Sequence, residues 1–159
     1  MASSTTKKVL VRRYDRETLA GYVNPAAWLR PEGAELMSIE GVAAVIPYPD
    51  IKLVAFVRDF EGGGEERQVF QTRPKMEGLW VGVRFRDGEF MEGIVPNNLL
   101  QLESTGITLT PPDSTGNQQR IFVPRTSALS VEVLGVVGSP LTKRKPKTAP
   151  KEQIGLFEE

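Results

Sequence analysis

Six arginines carry the most direct chemistry in this chain: Arg12, Arg13, Arg16, Arg84, Arg86 and Arg125. A guanidinium fork binds phosphate oxygens two at a time, so a cluster near paired hairpins would make a phosphate or nucleic-acid patch. The competing reading is a solvated strand face, neutralised by Asp15, Asp87 and Glu89. Twenty basic and twenty acidic residues cancel across the chain, which favours the solvated face. Trp28, Tyr48, Phe60 and Trp80 could stack on bases, but aromatics this sparse more often plug a core, Trp80 above all. Asp15, Glu17, Asp87 and Glu89 could pair as acid and base, yet they fall at hairpin tips, where carboxylates are solvated. The chain has no Cys and no His. That removes the thiolate nucleophile, the zinc–thiolate site and the usual general base. The expectation is a non-enzymatic protein with no catalytic, metal or cofactor site.

The element that must position these groups is the stretch Val81–Val95. Val81, Val83 and Phe85 alternate with Gly82, Arg84 and Arg86, the period of a half-buried strand. Asp87-Gly88 is a strong hairpin signal, read as a type I′ turn in which Gly takes positive φ. Phe90 to Val95 returns as a second strand. Gly93 inside it predicts a bend or a close backbone approach.

The same pattern occurs earlier. Lys8–Tyr14 and Thr18–Val23 read as a strand pair around Asp15-Arg16-Glu17, with Gly21 in the second strand. An offset of 72 residues relates Gly21 to Gly93, Asp15 to Asp87, Arg12 to Arg84, and Val9, Val11 and Val23 to Val81, Val83 and Val95. Further strands are expected over Ala34–Ile39, Val42–Ile46 and Ile51–Arg58, with a helical turn over Ala26–Leu29. Gly33-Ala34-Glu35-Leu36 matches Gly106-Ile107-Thr108-Leu109, Ile46-Pro47 matches Val123-Pro124, and Val54–Val57 matches Val131–Val136. A recurrence in fixed order is an internal repeat, and here the unit is large enough for a small barrel. The expected organisation is all-β: one five-stranded barrel over 8–60 and a second over 79–138. Residues 61–78 form a linker, with Gly62-Gly63-Gly64 and a bridging strand over Arg67–Thr72, and 111–119 an extended hairpin tip.

After Gly138 the composition changes. Residues 139–151 are rich in Pro and Lys and read as a disordered tail over 139–159, apolar again at its end. The first eight residues lack the apolar core of a signal peptide, and no apolar run approaches the ~18 residues needed to cross a bilayer. A cytoplasmic protein without membrane contact is expected.

Five short strands, a Gly in the second and a brief turn before the fifth resemble the Sm-like fold of bacterial Hfq and the Sm proteins, a bent SH3-like barrel. Leu19-Ala20-Gly21 and Met91-Glu92-Gly93 match that family's hydrophobic-x-Gly, and Tyr48-Pro49-Asp50 and Arg125-Thr126-Ser127 its short turn. The resemblance implies an RNA-binding protein and homo-oligomers formed through barrel edges; the candidate contacts for RNA or DNA, Arg12, Arg13, Arg84, Arg86 and Arg125, come from the arginine pattern itself. The family's polar turn motif and N-terminal helix are missing, so its base-reading residues do not carry over. A cyclic-dinucleotide sensor of PilZ type shares the Arg-x-x-x-Arg spacing at Arg12 and Arg16, but no segment supplies its second motif. At the tail, Gln153-Ile154-Gly155-Leu156-Phe157 resembles the bacterial sliding-clamp-binding peptide, Gln-hydrophobic-x-Leu-Phe. That implies docking on the clamp through Gln153, Ile154, Leu156 and Phe157, with two apolar anchors carrying most of the contact.

Overall fold

The computed structural model describes residues 6–14, 17–61, 68–97, 104–112 and 116–138. The alternating segments form β1 (Lys7–Arg13), β2 (Leu19–Val23), β3 (Gly33–Ser38), β4 (Ala43–Pro47), β5 (Ile51–Val57), β6 (Gly78–Phe85), β7 (Phe90–Val95), β8 (Gly106–Leu109), β9 (Gln118–Pro124) and β10 (Ala128–Val137). A single 3-10 turn, Tyr48–Asp50, joins β4 to β5. The all-β expectation holds. The strands lie in two open antiparallel sheets, not in two closed barrels: seven strands ordered β4-β3-β2-β1-β5-β9-β8, and three ordered β10-β6-β7. The physical reason is that β9 spends its second edge on β5, so the second half is divided between the sheets. The two sheets meet where Ile94 of β7 and Thr110 exchange both backbone hydrogen bonds.

The registers of the two halves run in parallel. Val9 faces Gly21 as Val81 faces Gly93. Val11 faces Val54 as Val83 faces Val131. Gly33 faces Pro47 as Gly106 faces Pro124. One irregularity corresponds as well: Arg13 pairs with Ile51 across a register shift that skips Lys52, and Phe85 pairs with Ala128 across one that skips Leu129, while a second shift, between Val133 and Gly135, occurs in β10 alone of the two.

Two apolar cores result. Val9, Val11, Val23, Leu36, Ile46 and Val54 form the first, joined by Phe122 from β9. Val81, Val83, Val95, Leu109 and Val123 form the second, joined by Leu53, Ala55 and Val57 from β5. The β5–β9 pair therefore gives one face to each core. Fully burying side chains of this size contributes about 1.5–3 kcal/mol apiece.

Local differences from the sequence reading have plain causes. The hairpin at Asp87-Gly88 is a three-residue loop, not a two-residue one: Phe85 N–H donates to Glu89 O and Gly88 N–H to Phe85 O, with Gly88 at φ +96°. Residues 25–27 make a turn closed by Ala27 N–H on Asn24 O, not a helix, and Asn24 Oδ1 takes the Ala26 N–H. Gln68–Thr72 is not a strand; Gln68 O accepts the Glu92 N–H, and Glu92 Oε1 accepts the Phe70 N–H.

Candidate functional site

The β6–β7 hairpin tip is built into the seam between the halves. Lys52, on the irregular stretch at the start of β5, reaches Asp87 Oδ2 at 2.8 Å and also bonds Glu89, while its ammonium lies 5.1 Å from the Phe85 ring centroid. Partial burial pushes the Lys52 ammonium down, but the hydrogen bonds to Asp87 and Glu89 outweigh it and hold the group above its usual value. The same Lys52 hydrogen bond, helped by the Glu89 N–H, holds Asp87 below the usual carboxylate value. The hairpin carboxylates thus face a cation and do not pair as acid and base.

Arg86 is committed to the same seam. Its guanidinium lies 4.0 Å over the Tyr14 ring and donates to Pro49 O at 2.6 Å and Thr126 O at 3.3 Å. The Tyr14 hydroxyl meets Ser127 Oγ at 2.5 Å, and Ser127 is fully buried. Thr126 Oγ1 donates to Tyr48 O. Tyr14, Tyr48, Pro49 and Lys52 of the first half are tied to Arg86, Asp87, Glu89 and Ser127 of the second.

The other arginines are dispersed. Arg84 lies over Phe90 and donates to Gly88 O, Arg13 donates to Glu17 O, Arg125 donates to Ser104 O, and Arg12 is exposed on β1. Arg16 and Asp15 lie outside the described residues, as do Gln153, Ile154, Leu156 and Phe157. The aromatics are mainly structural. Trp28 is buried edge-on to Phe56 and Phe122, the Tyr48 hydroxyl donates to Arg30 O, and Phe60 meets Tyr22. Trp80 is half-buried, with its indole N–H on Glu92 Oε1 at 3.2 Å.

A cleft that sequence reasoning missed opens beside the β5–β9 seam. It measures about 510 Å³ and is lined by Lys7, Trp28, Phe56, Thr108, Gln119 and Arg120, with Pro25 and Leu29 at one side. Two cations, a hydroxyl, an amide and aromatic side chains line it together. Its residues come from six separate stretches, so no local motif marks it; the exposed cation Arg120 between polar and apolar runs is the only local hint. A second cleft of about 420 Å³ lies along the open side of β10, lined by Ile107, Val123, Arg125 and Ala128–Val131. Among the described residues no group of three or more His, Cys, Asp or Glu side chains converges as a metal site, and no helix is long and apolar enough to cross a membrane.

Residues 5–135 match a family described only as a family of unknown function (DUF6982). No curated protein and no solved structure matches the chain.

Proposed function

We propose that this chain, which belongs to the family of unknown function DUF6982, is a non-enzymatic binding module made of two copies of one five-stranded, Sm-like unit. The observation that supports this reading is a partly shared register: the β1–β2, β1–β5 and β3–β4 pairings have counterparts in β6–β7, β6–β10 and β8–β9, with a bulge that skips Lys52 in one half and Leu129 in the other. Glycines recur at the same close approaches. A Cβ on Gly33 would lie 3.0 Å from Pro47 Cα, and one on Gly106 would lie 2.9 Å from Pro124 Cα. A unit repeated in this way offers duplicated surfaces and a seam, which suits an adaptor better than it suits a reaction centre.

The ligand class we assign to the seam cleft is single-stranded nucleic acid. Lys7 and Arg120 would contact phosphates, and Gln119 and Thr108 would hydrogen-bond a base or sugar. This moves the nucleic-acid reading away from Arg86, whose guanidinium is held over Tyr14 and bonded to Pro49 O and Thr126 O. The tail motif Gln153–Phe157 would dock the module on a sliding clamp, with the two-sheet body as cargo.

The test is fluorescence anisotropy of short single-stranded RNA and DNA with the full chain across a salt series. Binding that weakens with salt is expected. Lys7→Ala with Arg120→Ala should reduce the log–log salt slope by about 1.4, the value for two lost phosphate contacts on a single strand. Undetectable binding at low salt would remove the nucleic-acid assignment and leave the adaptor reading.

A further inference from the structure

The outer edge of β10 is one side of a strand pair whose other side the described residues do not supply. Within the chain, β5 pairs antiparallel with β9, setting Val54 opposite Phe122 and Ala55 opposite Ile121. By register β10 corresponds to β5, since Val131 faces Val83 as Val54 faces Val11. Among the described strands β10 pairs only with β6. Arg73 donates to the Val136 carbonyl at 2.8 Å, which leaves Leu129–Leu134 as the open stretch of edge. Five large hydrophobics of this one strand are exposed: Leu129, Val131, Val133, Leu134 and Val136. Val54 is fully buried, whereas its counterpart Val131 is 46% exposed. Phe122 shares the first core with Ala34, Ile46 and Val54. The matching residues of the second half, Ile107, Val123 and Val131, line the open cleft of about 420 Å³, and no aromatic side chain lines it with them.

The sequence beyond β10 carries a segment of the same pattern as β9. Gln118-Gln119-Arg120-Ile121-Phe122 and Gln153-Ile154-Gly155-Leu156-Phe157 share a Gln at the first position and an aliphatic-Phe pair at the last two. Residues 139–159 lie outside the described residues. Their only large apolar side chains are Leu141, Ile154, Leu156 and Phe157. Pro140, Pro146 and Pro150 all precede the segment, so none removes a donor from a ladder formed by it. Residues 139–152 can span about 45 Å when extended, and a return from Gly138 to the level of Leu134 needs only about 15 Å. A chain leaving β10 and turning back meets its edge antiparallel, the sense in which β9 meets β5.

We propose that Gln153–Phe157 pairs antiparallel with the open edge of β10 in the same chain, as Gln118–Phe122 pairs with β5. Transferring the β5–β9 register sets Phe157 opposite Val131, Leu156 opposite Glu132 and Gly155 opposite Val133. The Phe157 ring then enters the open cleft in the place that Phe122 takes in the first half. Main-chain hydrogen bonds supply the pairing and the cleft supplies the preference for an aromatic anchor. Glu132 stands where β5 has the fully buried Ala55, and a charge on an apolar edge weakens pairing, so the contact is reversible. Any partner that recognises Leu156 and Phe157 must first draw them off β10. The inference rests on the β10 edge and holds whether or not that partner is a clamp.

The absence of Cys from the chain makes the test clean. The same register puts Ser130 opposite Glu158, two positions that leave both apolar anchors intact. A full-length Ser130→Cys, Glu158→Cys variant is oxidised mildly at low concentration, beside a Ser130→Cys, Lys147→Cys variant that reports tethering alone. Far-UV circular dichroism confirms that each is folded. The Glu158 variant should form its intramolecular disulfide at least about tenfold faster, and adding Leu156→Asp and Phe157→Asp should bring it down to the tethering rate. In hydrogen exchange, the same two aspartates in the otherwise unmodified full chain should speed exchange of residues 129–134 at least about tenfold, with β1 and β5 unchanged. Equal disulfide rates for the Glu158 and Lys147 variants overturn the proposal, as does exchange at 129–134 that ignores the aspartates. Disulfides forming between chains when Ser130→Cys and Glu158→Cys single variants are mixed, in preference to those within one chain, would put the segment on another copy and overturn it too.

Discussion

Lys52 is the residue whose electrostatics are most specific to the folded state. Its contribution is present below the ordinary lysine value and is lost as pH rises through the raised folded value. The contribution of Asp87 is present above the ordinary carboxylate value of 3.8 and is lost as pH falls through its depressed folded value. Between roughly pH 5 and 9 both are therefore in place. Lys52→Met keeps the apolar stem over Phe85 and removes the charge, so it should lower stability by about 1 kcal/mol at pH 7. In urea melts the gap between the two proteins should narrow towards pH 3 and towards pH 11. A gap that is flat across that range would mean the ion pairs contribute nothing. Arg86→Ala removes a cation–π contact and two hydrogen bonds across the seam and should destabilise by about 1–2 kcal/mol. Arg86→Lys should not restore the loss, because an ammonium cannot fork to Pro49 and Thr126. Arg84→Ala, on an exposed strand face, should change stability by only about 0.5 kcal/mol. Equal thermal shifts for Arg84→Ala and Arg86→Ala would contradict this division of roles.

At the scale of elements, the glycines rank by what stands beside them. A Cβ on Gly106 would fall on the Val123 carbonyl oxygen and within 2.9 Å of Pro124 Cα, both backbone atoms of the paired strand. Gly106→Ala should therefore force β8 from β9 and destabilise by about 2 kcal/mol or more. Gly93 was read from sequence as a bend or a close approach. It is a close approach at ordinary φ, against the Leu109 side chain, with Cβ and Cγ 3.0 Å away. Leu109 can shift, so Gly93→Ala should be milder, about 1 kcal/mol. Equilibrium denaturation decides the order; a larger loss at Gly93 than at Gly106 would refute it. Most of the strands were legible because period-2 alternation reports a buried face directly, as at Val81, Val83 and Phe85. The bridging strand around Gln68–Thr72 failed because a short apolar run packed on Glu92 looks the same in sequence as a paired one.

For the whole molecule, the adaptor reading makes a prediction at the tail. A peptide covering residues 150–159 should bind a purified bacterial sliding clamp in a calorimetric titration. The same peptide carrying Leu156→Ala and Phe157→Ala should bind far more weakly, since two apolar anchors would carry most of such a contact. Equal or undetectable binding by both peptides would remove the clamp from the reading and leave the module without a named dock.

The sequence by itself determined the all-β class, the strands of the first half to within a few residues and the Val81–Val95 hairpin. These are local or periodic properties: alternation fixes which face is apolar, and Gly and Pro mark where pairing must stop or crowd. Only the tertiary structure decided which edges meet. The β5–β9 seam depends on Val54 and Phe122, far apart in the chain, sharing one core, and no spacing rule encodes that. The same holds for the arginines. Arg84 and Arg86 look alike on the page, but Arg84 stays on the exposed face of β6 over Phe90, whereas Arg86 stands just past the strand in the hairpin loop and is carried across the seam onto Tyr14. The cleft between Lys7 and Arg120 exists because two halves of the chain were brought edge to edge, and a cavity made by such a junction leaves no contiguous signature in sequence.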